Sequence, residues 1–275
     1  MMSTEQATTP KIAIITGATS GLGLEFVRQL DERAHQKTTS NDAESVIDEF
    51  WLIARTTEKL EEIAGGLHTS ARVISADLSK PADIKHIGSE LTEANAIVAY
   101  LVNSAGFGRF GSWKDISDED AETMIDLDCR AVVTMTRTCL PHMQAGSRII
   151  EVASAAGFVP LPYLNVYAAA KSFVLRYTRG LRWELHGTGI TATALCPTWV
   201  KTGFEAQARK SENARAVNHL LFAQKPKTVV SRALFANRLH AAVACCSIPS
   251  LFLRLVRKVI PNCITMAGWN IIRRL

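Results

Sequence analysis

Two textures alternate along this chain. Short runs of β-branched and apolar residues are each followed by a longer stretch in which apolar positions recur every three or four residues. The first run, Lys11–Thr16 (KIAIIT), stops at Gly17 and is too apolar for a one-sided surface strand, so it reads as buried in a parallel sheet. Residues 22–34 then place Leu22, Phe26, Val27 and Leu30 at helical spacing. The same alternation predicts strands at 50–54 (FWLIA), 72–75, 97–102 (IVAYLV), 148–153 and 190–195 (ITATAL). Helices are predicted at 56–64, from Pro81 onward, at 118–140 and at 164–185, followed by a helix at 229–239 and a short strand at 241–246. Such an order gives an α/β fold: one Rossmann-type doubly wound parallel sheet of about seven strands with helices on both faces. The polar, aperiodic stretch 35–48 reads as a surface insertion, and residues 1–10 as a flexible start. No repeat or low-complexity linker divides the chain, so residues 1–275 read as one domain with a core over 11–205.

Composition adds little until charge is followed along the chain. With 47% apolar and 21% charged residues, this is an ordinary globular composition. The first ten residues have no basic and apolar signal pattern, and no apolar run reaches the roughly 18 residues of a spanning helix. A cytoplasmic protein is therefore expected, with membrane association left open. The six cysteines show no C-x-x-C spacing and read as buried free thiols, and the histidines show no metal motif, so no metal is expected. No nucleic-acid partner is expected either. The net charge of +5, however, is uneven: ten Lys and Arg follow Glu212 and no Asp or Glu does, which leaves the rest of the chain net acidic. That split fits a basic face toward an anionic ligand, lipid or partner, and equally a set of bridges to the acidic part.

The candidate chemistry starts between the first strand and the first helix. In Thr16-Gly17-Ala18-Thr19-Ser20-Gly21-Leu22-Gly23, three glycines allow a tight turn, close approach of a pyrophosphate and close helix packing. The helix start then offers free N–H groups to phosphates. At the end of the second strand stands Ala54-Arg55, with no carboxylate before Glu58. An acidic residue there would bond a ribose 2′-hydroxyl, whereas Arg55 accommodates a 2′-phosphate, so NADP(H) is the expected cofactor and NAD(H) the secondary one.

The spacing T-G-x-x-x-G-x-G is not the G-x-G-x-x-G of other dinucleotide enzymes and resembles the short-chain dehydrogenase/reductase family. Further matches follow in that family's order: Asp77-Leu78, Asn103-Ser104-Ala105-Gly106 (with Ser104 for the second Asn), Ser154, Tyr167-x-x-x-Lys171, and Pro197-Thr198 where Pro-Gly is usual. The resemblance implies cofactor contacts from Thr16, Gly17, Ser20, Gly21, Leu22, Gly23, Arg55, Asp77, Leu78, Asn103, Ala105, Tyr167, Lys171, Pro197, Val200 and Thr202. It also implies a catalytic set of Ser154, Tyr167, Lys171 and the position of Asp128. Tyr167 and Lys171 are four apart and share a helix face. A phenol is a poor base near neutral pH, and a nearby ammonium would stabilise its phenolate. Tyr167 would then be the general acid and base, Ser154 would bind the substrate oxygen, and Lys171 would also bind the nicotinamide ribose. At Asp128 the family has Asn, which holds a water in a proton relay. Asp lacks the amide donor and, if ionised, raises the lysine and tyrosine pKa values. Asp128 tunes the pH optimum, works protonated as Asn does, or marks lower activity.

Substrate choice is expected from residues 198–222, with Phe158, Tyr163, Trp199 and Phe204 lining an apolar cleft. Residues 157–174 resemble the branch containing 3-oxoacyl-thioester reductases and hydroxysteroid dehydrogenases, implying a bulky apolar carbonyl or alcohol and a place in lipid or steroid metabolism. The apolar-basic segment 247–275 fits a cap over the cleft, a subunit contact in a homo-oligomer, or a basic amphipathic helix on a membrane surface. A second reading of the whole is a nucleotide-binding regulatory or scaffold protein with weakened activity; the intact Ser154, Tyr167 and Lys171 set speaks against it.

Overall fold

The computed structural model describes residues 9–36, 47–210, 217 and 223–274. Seven strands, β1 (Lys11–Thr16), β2 (Glu49–Ala54), β3 (Ser70–Ser75), β4 (Ile97–Asn103), β5 (Arg148–Val152), β6 (Thr191–Cys196) and β7 (Val243–Cys245), form one sheet in the order β3-β2-β1-β4-β5-β6-β7. Every pairing is parallel. Because the order reverses between β1 and β4, a crevice opens at the carboxyl ends of those strands, where open α/β sheets bind their ligands.

One face of the sheet is covered by α1 (Gly21–Gln36), α2 (Thr57–Gly65) and α8 (Pro226–Arg238), through buried Phe26, Leu30, Leu60, Val230 and Leu234. The other is covered by α3 (Pro81–Ala94), α5 (Ala131–Cys139) and α6 (Asn165–Glu184), through Ile84, Ile87, Leu91, Met135 and Leu181. The predicted positions Phe26, Val27 and Leu30 of α1 are all buried, and Leu22 packs at the edge of the same cluster. Asp31 on that helix is buried as well, and its carboxylate accepts the backbone N–H groups of His68 and Thr69, tying down the loop after α2.

Two expectations change. The helix predicted over 118–140 runs unbroken from Asp118 to His142, but as α4 (Asp118–Ile125), a π turn over Asp126–Arg130, α5, and a closing 3-10 turn over Leu140–His142. The wider π turn adds a residue to the helical circuit and turns Asp128 fully inward. Pro141 cannot donate to the helical ladder, and the chain tightens there. The thiols also differ: all six are free, but Cys263 is exposed and Cys129 and Cys245 are only half-buried. Most of the expected insertion and of the flexible start lie outside the described residues. Pro10 is within them, and its carbonyl accepts from the Ile97 N–H. The later chain adds α7 (Phe204–Ala208), α9 (Ile248–Val256), and α10 (Asn262–Ile272), and part of the expected substrate loop also lies outside the description. No described helix is long and apolar enough to cross a membrane.

Candidate active site

The sheet register sets the site. Thr16 at the end of β1 pairs with Asn103 at the end of β4, and Asn103 pairs with Glu151 on β5, so three polar residues lie side by side at the carboxyl edge. Thr16 is buried, and its Oγ1 accepts the N–H groups of Ser104 and Ala105 at 3.0 Å each. This threonine thus fastens the loop after β4 to the glycine loop after β1.

The three glycines of that loop each meet a different demand. Gly17 and Gly21 have φ of +66° and +57°, the left-handed region that costs other residues free energy. A Cβ on Gly23 would lie 2.2 Å from the Gly17 carbonyl oxygen, and one on Gly17 would lie 3.0 Å from the Ala105 backbone. Ser20 is exposed beside them, at the start of α1. From the far side, the Thr202 side chain reaches the same loop, 3.4 Å from where a Cβ of Gly21 would stand. Val200 forms a parallel bridge to Gln224, and the buried Pro197 accepts the Ala155 N–H through its carbonyl at 2.8 Å. The loop conformation, the first turn of α1 and the approach of Thr202 together form a cradle that side chains at these glycines would fill. It fits a dinucleotide pyrophosphate.

Arg55 is exposed at the end of β2, beyond the half-buried Ala54. Its charge reaches Asp77: burial alone would raise that carboxyl, but two hydrogen bonds from Ser79, with Arg55 and Lys80 nearby, hold it below its ordinary value. Leu78 is buried beside Thr16, Asn103, Ala105 and Leu127, at the floor of the crevice.

Tyr167 and Lys171 stand one turn apart on α6. The Lys171 Nζ is buried, donates to the Val152 carbonyl at 3.0 Å, and lies 3.4 Å from Asp128 Oδ1. It also lies 5.7 Å from the centre of the Tyr167 ring. The Tyr167 hydroxyl is hydrogen-bonded with Ser154, whose Oγ accepts the Ala156 N–H at 3.1 Å. Burial raises the Tyr167 phenol and the Asp128 charge raises it further, while Lys171 pulls it down. Burial would lower the Lys171 ammonium, but Asp128 and Tyr167 outweigh that and hold it charged. Asp128 is wholly buried, and burial pushes its carboxyl up to about 6 against the pull of Lys171 and the Phe107 N–H. Its Oδ1 lies so close to Gly106 that a Cβ there would be 2.2 Å away, and its Oδ2 is buried without a partner.

Asn103, expected toward the cofactor, turns its side chain inward and donates to Thr136 Oγ1 at 3.1 Å and Glu151 Oε1 at 3.2 Å. Glu151 escaped the sequence reading. It is fully buried, and burial pushes its carboxyl up to about 7. The available signal was a lone carboxylate within an apolar strand, RIIEVA. Gly157 escaped too: a Cβ there would lie 2.6 Å from the Lys171 carbonyl oxygen, so this glycine lets the Ser154 loop lie flat on α6.

Of the four aromatics expected at the cleft, three gather near Tyr167 and one does not. Phe204 is tilted against the Tyr167 ring at 5.4 Å, and Trp199 meets Phe110 edge-on at 5.9 Å. Tyr163, in the left-handed conformation at φ 67°, joins the same cluster with Trp269 of α10. Phe158 instead packs with Val174 and Leu175 under α9, because the turn after Ser154 directs it away from the cleft. Trp269 donates to the Pro162 carbonyl at 2.8 Å and the Arg273 guanidinium stacks 3.5 Å from the Tyr163 ring, so α10 lies against the loop that leads into Tyr167. No group of metal-ligating side chains is found among the described residues.

The comparisons with known proteins agree with this geometry. Residues 11–213 match the short chain dehydrogenase family. Sulfoacetaldehyde reductase 2 of Chromohalobacter salexigens is 35% identical over 199 residues, covering 70% of this chain and 74% of that one. The very-long-chain 3-oxoacyl-CoA reductase of Anas platyrhynchos is 28% identical over 265 residues, covering 92% of this chain and 77% of that one. Among solved structures, a short-chain dehydrogenase from Sphingobium yanoikuyae in complex with NADPH superposes with a TM-score of 0.74 at 23% identity, over 97% and 96% of the two chains. A short chain dehydrogenase/reductase from Burkholderia phymatum in complex with NAD gives 0.74 at 22% identity, over 92% and 94%. At those identities the structures speak to the fold, while the family match covers most of the chain. The chain belongs to the short-chain dehydrogenase family and is an NAD(P)-dependent oxidoreductase.

Proposed function

We propose that this protein interconverts a bulky apolar carbonyl compound and its alcohol with NADP(H), using Tyr167 as general acid in reduction and general base in oxidation. The observation that carries the proposal is the convergence of Ser154, Tyr167 and a buried, charged Lys171 at the carboxyl edge of the sheet. The glycine loop, Thr202, Arg55 and Lys171 would hold the nicotinamide cofactor, which when bound supplies or accepts hydride. Ser154 holds the substrate oxygen and Tyr167 gives it a proton, so that charge developing on that oxygen is met by a donor. Lys171 favours the phenolate that remains, since its ammonium is the nearest positive charge. Thr16 and Asn103 position the crevice through their contacts with the neighbouring loops and strands. Phe204, Trp199, Tyr163 and Trp269 around Tyr167 support an apolar substrate, and the similarity to a long-chain oxoacyl reductase points the same way. α10, resting on the loop before Tyr167, suits the cap role for the carboxy-terminal segment.

Tyr167→Phe should lower turnover by about 10²–10⁴ while cofactor affinity stays nearly unchanged, because the hydroxyl serves proton transfer. Steady-state rates beside cofactor titrations check this, and near-normal turnover in a folded variant rejects the assignment. The NADP(H) preference rests on Arg55. Arg55→Ala should weaken NADPH by about 1.5–3 kcal/mol, the usual worth of a charge-assisted bond, and leave NADH almost unaffected. Equal losses in the two titrations would show that Arg55 does not read the 2′-phosphate.

A further inference from the structure

The charge imbalance after Glu212 has a structural counterpart away from the active site. Arg254, Arg257 and Lys258, at the end of α9 and just beyond it, line a cavity of about 50 Å³ together with Arg179 of α6 and the Phe158 ring. Arg176 lies near enough for its charge to act on Arg257. None of these cations is paired with a carboxylate among the described residues. The Nε of Arg257 is buried without a hydrogen-bond partner, and its guanidinium lies 5.7 Å from the Phe158 ring centre. Like charges gathered this closely around a polar hollow repel one another unless an anion joins them.

Beside this cluster runs an apolar stripe open to solvent. Ile248, Leu251, Phe252 and Leu255 share one side of α9, with Ile248 84% and Phe252 61% exposed, and Val259 is 83% exposed in the turn that follows. The opposite side of α9 is fastened to the fold by Ser250, whose Oγ donates to the Cys196 carbonyl, and by Leu253. Ile264 and Ile271 of α10 are exposed as well.

We propose that this face docks on an anionic membrane surface, with a phospholipid phosphate held by Arg179, Arg254, Arg257 and Lys258 and the α9 stripe entering the acyl boundary. A basic cluster alone would suit any phosphate; the adjoining apolar stripe selects a lipid. A second copy of the chain is disfavoured by charge, since a two-fold contact sets the same patch against itself and would oppose cation to cation.

The test is flotation of the full chain with vesicles of phosphatidylcholine alone, and with vesicles in which about one lipid in three is phosphatidylglycerol. The protein should float with the second kind, be released by salt, and bind the first at least about tenfold more weakly. Arg254→Gln with Arg257→Gln should reduce partitioning about 25-fold, at roughly fivefold per cation near a charged surface. Lys258→Gln, at an exposed position that does not threaten folding, should cost about fivefold. Phe252→Ser with Leu255→Ser should cost on the order of tenfold or more with every cation in place. Flotation that ignores lipid charge, or no flotation at all, overturns the proposal. Inorganic phosphate bound by the wild type and lost in the double arginine variant, without vesicle binding, would assign the cavity to a soluble anion and reject membrane docking. A lipid-free dimer in sedimentation equilibrium, dissolved by the Phe252 and Leu255 substitutions and with no flotation, would assign the stripe to a second copy and reject it too.

Discussion

At the scale of single residues, the centre of interest is Asp128. Its carboxylate is buried 3.4 Å from Lys171, and burial pushes it up to about 6, so it is largely ionised near neutral pH. An ionised Asp128 keeps Lys171 charged but opposes a second negative charge on Tyr167. Under the proposed mechanism, the rise of the alcohol-oxidation rate with pH follows formation of that phenolate. It should therefore occur at higher pH in the wild type than in Asp128→Asn, which keeps the side-chain size and removes the charge. Activity of the variant near neutral pH should be equal or higher. Superimposable pH–rate profiles would mean that Asp128 does not carry charge in the working enzyme, and a collapse of activity in a folded variant would mean that its carboxylate is required.

At the scale of elements, the candidate active site is held by contact between backbones. The Ser154 turn lies on α6 only because Gly157 has no side chain: its Cβ would meet the Lys171 carbonyl at 2.6 Å and the Ser172 nitrogen at 2.9 Å, and neither is a flexible group. Gly157→Ala should cost about 1–3 kcal/mol of stability, in line with overpacking, and should lower turnover more than it raises KM, because it separates Ser154 from Tyr167 and Lys171. Gly180 on the same helix has nothing within 4 Å of its would-be Cβ, so Gly180→Ala should instead stabilise by roughly 0.5–1 kcal/mol. Chemical denaturation of both variants checks the contrast; equal effects would show that the close approach at Gly157 is unimportant.

At the scale of the whole molecule, Glu151 buries a carboxyl near the carboxyl edge of β5, between the sheet and α5. Its Oε1 accepts from Thr136 at 2.8 Å and from Asn103, its Oε2 is buried without a partner, and burial lifts it to about 7. The fold therefore favours the protonated form. Its contribution is undiminished below the unfolded value of roughly 4.3, then falls as pH rises through about 7, by about 3–4 kcal/mol in all. Urea unfolding at a series of pH values should show this decline, and Glu151→Gln should flatten it, since the amide keeps an acceptor for Thr136 and Asn103 but cannot ionise. A variant with an unchanged pH dependence would place the titration elsewhere.

The sequence by itself determined the order of strands and helices, the glycine loop and the pairing of Tyr167 with Lys171. Each of these is local: hydrophobic period, glycine spacing and the four-residue repeat of a helix act between residues close along the chain. It did not determine the π turn within the helix over 118–140, the inward turn of Asn103 or the escape of Phe158 from the cleft. Those depend on partners that arrive from other elements: Glu151 from the neighbouring strand, Lys171 from α6, and α9 from the end of the chain. The basic excess after Glu212 was equally visible in the sequence, but only the tertiary structure gathered Arg254, Arg257 and Lys258 around one hollow with Arg179. A charge count is additive along a chain, whereas repulsion depends on distance in space, and that distance is set by packing.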